Sequence, residues 1–242
     1  MRRVRLVLAL AAALAVGLIA APPASANIPG NYTFTTQHGV NFTLLSGDNH
    51  LIIPATGSTD DALFTLCVTG CTGQFKLPFK LNVYGNPYPV ARVSSNGTLQ
   101  FGVGKTGGSA AFSNQPLPTT DFAGPVLMPF WDDLFMVPSD TSHFFREGIY
   151  TKTSGVKPHR QFIISWQGHA FSSESYFVLA QAVFKEGSST IRFRYGAPDN
   201  QTGFAPSETI GAQANGTFTQ IAFDPPPPGL VPTGTQFTLI HH

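Results

Sequence analysis

Asp132 and Asp133 are adjacent carboxylates in the run Pro129-Phe130-Trp131-Asp132-Asp133-Leu134, the stretch best placed to do chemistry. Side by side at a strand end, they can join main-chain carbonyls around Ca²⁺, a hard cation that takes about six to eight oxygens. The competing reading has Trp131 filling the core while the two aspartates cap turns and accept N–H bonds. The Asp-x-Asp-x-Asp-Gly spacing of calcium loops is absent, which favours the turn reading, and no cofactor is expected. Asp60-Asp61 presents the same alternatives with less around it. Asp140-Thr141-Ser142 matches the triplet of pepsin-like proteases, but that chemistry needs two carboxylates sharing one proton. The sequence holds no second Asp-Thr-Ser or Asp-Thr-Gly, so a loop turn accounts for it.

Nucleophilic and metal-assisted hydrolysis find no better footing. His38, His50, His143, His159 and His169 are scattered singly, His241-His242 close the chain, and no H-E-x-x-H pair occurs. There is no G-x-S-x-G elbow, and no helical pattern for one to lead into. The glycine-rich stretch from Gly102 to Gly108 includes Lys105-Thr106 but lacks the spacing and following helix of a phosphate loop. No catalytic, cofactor-binding or metal residue is therefore assigned, and the chain reads as non-enzymatic. Most of the 21 phenylalanines belong to a core. Phe144-Phe145 and Phe171, near His169 and Ser172-Ser173, sit in expected loops and would make a protein or glycan contact patch if exposed. Asn31, Asn41, Asn96, Asn200 and Asn215 begin N-x-[ST] sequons.

Cys67 and Cys71 are the chain's two cysteines. In an exported protein the pair reads as a disulfide closing a small loop, Val68-Thr69-Gly70. Export is expected from the N-terminus. Arg2, Arg3 and Arg5 precede an apolar run over residues 6–21, and Ala24-Ser25-Ala26 is a cleavage site, so residues 1–26 read as a signal peptide. Loss of three arginines takes the formal charge from +1 to −2. No basic patch capable of neutralising a phosphate backbone is evident, which argues against nucleic acid. No later segment is long and apolar enough to span a bilayer as a helix. The expectation is a secreted, extracellular protein.

The elements around these residues are strands. Glycine (24) and proline (20) cut the chain into short β-branched or aromatic pieces, the pattern of an antiparallel two-sheet β-sandwich, jelly-roll-like, with few or no helices. Residues 27–242 read as one domain: poorly readable strands in 27–66, a motif-bearing core in 74–223, and a proline-rich return with a last strand in 224–242. Leu77 to Phe101 alternates strand, Tyr-Gly turn, strand, Asn-Gly turn, strand. At Asn96-Gly97 a three-residue loop pairing Val93 with Phe101 keeps one face apolar, which a two-residue turn does not. Residues 32–35 and 40–45 look like strands. Phe162, Ile164 and Trp166 share a face, as do Ile191, Phe193 and Tyr195 against Arg192 and Arg194. Trp131 is expected in the same core. Pro225-Pro226-Pro227-Pro228 reads as a rigid return.

As an ordered set these motifs resemble a known family. Leu77-Pro78-Phe79, Val83-Tyr84-Gly85, the stretch Val93-Ser94-Ser95-Asn96-Gly97-Thr98-Leu99-Gln100-Phe101-Gly102, Pro129-Phe130-Trp131-Asp132-Asp133-Leu134 and Gly148-Ile149-Tyr150 are similar to the extracellular domain of nidogens, the NIDO type. The likeness is closer still to bacterial secreted β-sandwich modules found beside proteases and fibronectin-type domains. It extends to Phe162-Ile163-Ile164-Ser165-Trp166 and Ile191-Arg192-Phe193-Arg194-Tyr195-Gly196 and covers about residues 74–223. The resemblance implies an adhesion, matrix or accessory role with an extracellular protein or glycan as partner, and it brings no catalytic residues. The alternative is an exported carbohydrate-binding protein or hydrolase on the same scaffold.

Overall fold

A computed structural model describes residues 31–47, 50–53, 57–71, 75–140, 142, 145–196, 207–224 and 231–242. The expected signal peptide, the four-proline run, His143, Phe144, Thr141 and Asn200 lie outside the described residues. Within them there are sixteen strands, numbered in chain order, and no α-helix.

An eight-stranded antiparallel sheet has the order β1 (Tyr32–Gln37), β16 (Gln236–His241), β13 (Ile191–Tyr195), β12 (Ser173–Lys185), β11 (Gln161–Ala170), β10 (Gly148–Ser154) and β2 (His50–Leu51), with β9 (Leu134–Phe135) pairing the far end of β11. A six-stranded sheet has the order β15 (Thr217–Phe223), β14 (Thr209–Ala214), β8 (Val126–Trp131), β7 (Leu99–Gln100), β6 (Val90–Ser94) and β3 (Leu63–Cys67). A small hairpin joins β4 (Leu81–Val83) to β5 (Asn86–Tyr88) across Tyr84-Gly85, both at positive φ as a tight two-residue turn requires.

The two large sheets form a β-sandwich, not a closed barrel. Its core comes from alternate positions: Phe162, Ile164 and Trp166 of β11 and Ile191, Phe193 and Tyr195 of β13 meet Leu99, Leu127, Phe130, Ile210 and Ala212 from the other sheet. The polar tips of Trp166 and Tyr195 are satisfied across the sandwich. The Trp166 indole donates to the Ser94 carbonyl at 2.8 Å, and the Tyr195 hydroxyl to the Pro129 carbonyl at 2.6 Å.

Three expectations need correction. The Asn96-Gly97 loop does have three residues, but it spans Ser95-Asn96-Gly97, so Val93 pairs with Leu99 and not with Phe101. Parity is kept, and the shift brings Gly97 against β8, where an added Cβ would lie 1.7 Å from the Phe130 carbonyl oxygen. Trp131 is buried, but in a separate cluster with Leu117, Phe122, Val126 and Met128 on the outer face of the six-stranded sheet, its indole donating to Ala111. Residues 40–45 form no strand. They cross the outer face of the eight-stranded sheet, held by glutamine side chains: Gln181 donates to the Thr43 carbonyl, and Gln167 both accepts from the Leu45 amide and donates to its carbonyl. Leu45 seals this crossing over Tyr150, Ile163 and Val183.

Candidate functional site

The Asn96 turn builds one end of the sandwich. Asn96 is fully buried and its side chain makes three bonds. The amide donates to Asp61 at 2.7 Å and to the Ala110 carbonyl at 3.0 Å, and its oxygen accepts from the Leu134 amide at 3.0 Å. Those bonds draw the segment before β3 toward the bend between β8 and β9. A two-way backbone bridge between Thr59 and Met136 (2.8 and 3.1 Å) fixes the same approach. As a result Asp60, Asp61 and Asp133 each present a carboxylate oxygen within 4.8 Å of the other two. A cation with Ca–O distances of about 2.4 Å can bridge oxygens at that spacing. Asp60 and Asp61 are exposed and Asp133 half-buried. Desolvation first, then the neighbouring aspartate charges, raises the pKa of both Asp60 and Asp133.

Asp132 takes a different path from its neighbour. It is 5% exposed and accepts from the Ser207 hydroxyl at 2.9 and 3.0 Å and from the Asp133 amide at 2.9 Å. Burial pushes its pKa up to about 6, against the pull of the Ser207 bond. The two carboxylates of the sequence pair are therefore separated: Asp132 is a buried capping group, and only Asp133 joins a cluster able to hold a cation. Glu208 was not singled out from the sequence. It immediately precedes Thr209, which pairs with Trp131, and neither of its fully buried carboxylate oxygens has a hydrogen-bond partner among the described residues. Burial first, then the charges of Asp132 and Asp224, pushes its pKa up to about 8. Nothing local in Ser207-Glu208-Thr209 announces this, because strand pairing alone sets it opposite Asp132.

Next to Asp133 stands Phe171. Its amide donates to the Asp133 carbonyl at 2.8 Å, its ring lies 5.8 Å from Phe135, and it is 56% exposed. The Phe135 ring in turn lies 5.5 Å from the imidazole of His169. Gly168 permits this layering, since a Cβ there would meet Met136 and the Phe135 carbonyl at 2.7 and 2.8 Å. His169 Nδ1 bonds the buried Glu147 carboxylate at 2.7 Å, and the other Glu147 oxygen accepts from the Val137 amide at 2.6 Å. This pair ties the start of β10, the strand β11 and the segment that follows β9 together. Phe145, expected in the same patch, is instead buried against Phe177.

The remaining candidates are structural. Cys67 and Cys71 are bridged. Lys105, from the glycine-rich stretch, donates to the Thr69 and Gly70 carbonyls of the disulfide loop at 3.3 and 3.5 Å. Asp140 accepts from the Ser142 amide at 2.7 Å, a turn cap. Among the described residues no histidine belongs to a group of three or more potential metal ligands. His38 bonds Thr235, His242 bonds Thr33, and the His241 ring packs on Tyr32 and Tyr84. The sequon asparagines Asn31 and Asn96 are buried, whereas Asn41 and Asn215 are exposed.

The architecture is that of an all-β sandwich module with one small disulfide loop and a site made of turns at one end. A family model described as NIDO related matches residues 31–236, and the chain belongs to that family. The match reaches beyond residues 74–223 to include β1, β2 and β3, each an edge strand of its sheet. No curated protein and no solved structure matches the chain. Family and disulfide together suggest an extracellular module. No helix among the described residues is long and apolar enough to cross a membrane.

Proposed function

We propose that the protein is a secreted, non-catalytic recognition module that meets an extracellular protein or glycan through the end of the sandwich carrying Phe171. The observation that carries this reading is the exposed Phe171 ring. It is 56% exposed, its main chain is bonded to Asp133, and it is backed by Phe135, so a rigid apolar face stands beside three carboxylates. Rigid aromatic rings flanked by polar groups make efficient contact anchors, because little side-chain entropy is lost on binding. Export would proceed through residues 1–26. A hydrolase has less support. The nearest acid–base pair, Glu147 and His169, is committed to holding three segments together, and one Glu147 oxygen is taken up by a main-chain amide.

The test is capture by the immobilised chain from a surface extract of the native culture, run beside a glycan array. Phe171→Ser is expected to lower capture of the recovered partner at least tenfold, about 1.4 kcal/mol or more, with an unchanged unfolding midpoint. Equal capture by the variant would sink the proposal.

A further inference from the structure

The outer face of the eight-stranded sheet carries a second feature, at the opposite end of β11 from Phe171, about 30 Å along the strand. Beside the crossing segment of residues 40–45 lies a recess of about 520 Å³. Its charged walls are Lys185, Arg192 and Arg194, with His159 at its margin. Strand alternation puts the two arginines there, since Ile191, Phe193 and Tyr195 all point into the core. Register supplies the amides: Gln161 is paired with Lys185, Gln236 with Arg194, and Gln37 with Gln236.

Among the described residues the cations in this recess are uncompensated. Glu186, the acid next to Lys185, is engaged by Arg160 at 2.6 and 2.8 Å. Among the described residues the side chain of neither Arg192 nor Lys185 has an ion-pair or hydrogen-bond partner. Arg194 donates through Nε to Gln236 at 2.7 Å, which fixes the plane of the guanidinium and leaves its two terminal nitrogens without a partner among the described residues. Desolvation, then the like charge of Arg192, lowers the Arg194 pKa. Two guanidiniums gathered at one recess whose described lining holds no carboxylate are an arrangement that an anion relieves. A guanidinium fork matches the paired oxygens of a carboxylate or sulfate.

We propose that this recess binds an anionic saccharide, a sugar unit of an extracellular polysaccharide that carries carboxylate or sulfate. The Gln161 amide and the amide nitrogen of Gln37 face the recess and can meet sugar hydroxyls, which an acidic peptide does not present around its carboxylates, while Gln236 is engaged by Arg194, Gln37 and Thr238. Among the described residues no Phe, Tyr or Trp lines the recess, so apart from the His159 imidazole it offers no stacking platform for nucleobases. The inference goes beyond the recognition reading above and does not depend on its contact end.

Isothermal titration of the disulfide-intact chain at low salt tests it. The probes are a uronic-acid oligosaccharide, a sulfated oligosaccharide, a neutral oligosaccharide of the same length and an oligoglutamate peptide. At least one acidic saccharide is expected to bind ten times or more tightly than the neutral one and than oligoglutamate, and which of the two binds identifies the anionic group. Arg192→Gln combined with Arg194→Gln should weaken that binding at least tenfold, and Lys185→Gln, at an exposed position that leaves folding undisturbed, several-fold. Phe171→Ser should leave it unchanged, which separates failure here from failure of the contact end. Absence of binding, equal binding of the neutral sugar or of oligoglutamate, or full binding by the lysine and arginine variants would each overturn the assignment.

Discussion

At the scale of single residues, Asn96 organises the contact end. The sequence marks it as a turn residue before glycine, and the turn reading holds, but its side chain also places Asp61 and Leu134. The three carboxylates it helps assemble repel one another in the absence of a cation. In chelator, Asp60→Asn is expected to raise the unfolding midpoint slightly, by roughly one degree, as suits relief of an exposed like-charge contact. The same scan with excess calcium tests whether the group takes a cation. A rise in the parent chain that Asp60→Asn abolishes marks ligation, and equal midpoints dismiss calcium. Asp132 was legible as a capping group. Its separation from Asp133 was not, because adjacency in sequence does not decide which way two side chains turn at a bend.

Among the elements, the Cys67–Cys71 bridge was legible in full, since both partners sit within one turn of chain. It closes a short loop, and chain entropy limits its worth to about 2 kcal/mol. Replacing both cysteines with alanine should lower stability in urea by no more than about that amount, with a single cooperative transition retained. Loss of folding would mean that the loop, which Lys105 also clamps, matters more than its closure entropy. The strands after Gly148 were legible from period-two alternation. Residues 40–45 show the same apolar character but form no strand. Their main chain is bonded by the side chains of Gln167 and Gln181, a partner that no local pattern reveals.

For the whole molecule, Glu208 ties stability to pH. Ordinarily near 4.5, its pKa is pushed up to about 8 in the folded chain by burial, then by Asp132 and Asp224. Between those values the folded chain keeps the proton and the unfolded chain has released it, so unfolding is coupled to proton loss. Stability should therefore fall as pH rises from about 4.5 to about 8, by up to about 1.4 kcal/mol per pH unit from this group. Glu208→Gln is expected to flatten that slope and to stabilise the chain at pH 8, as read from urea midpoints across the range. A slope unchanged by the substitution would mean that Glu208 is solvated in solution.

The sequence by itself determined the all-β class, the position of most strands, the disulfide, the odd-length Asn96-Gly97 loop and the family likeness. Each of these depends on local periodicity, turn chemistry or residue types close together in the chain. Tertiary structure decided the rest. It sent Trp131 to the outer face, paired His169 with Glu147, buried Glu208 beside Asp132, and gathered Lys185, Arg192 and Arg194 around one recess. Some of these juxtapositions join neighbouring strands, as with Lys185 and Arg192, and others join segments far apart in sequence, as with Asp132 and Glu208. They are set by register and sheet order, which the stacking of the two sheets fixes and no single strand encodes.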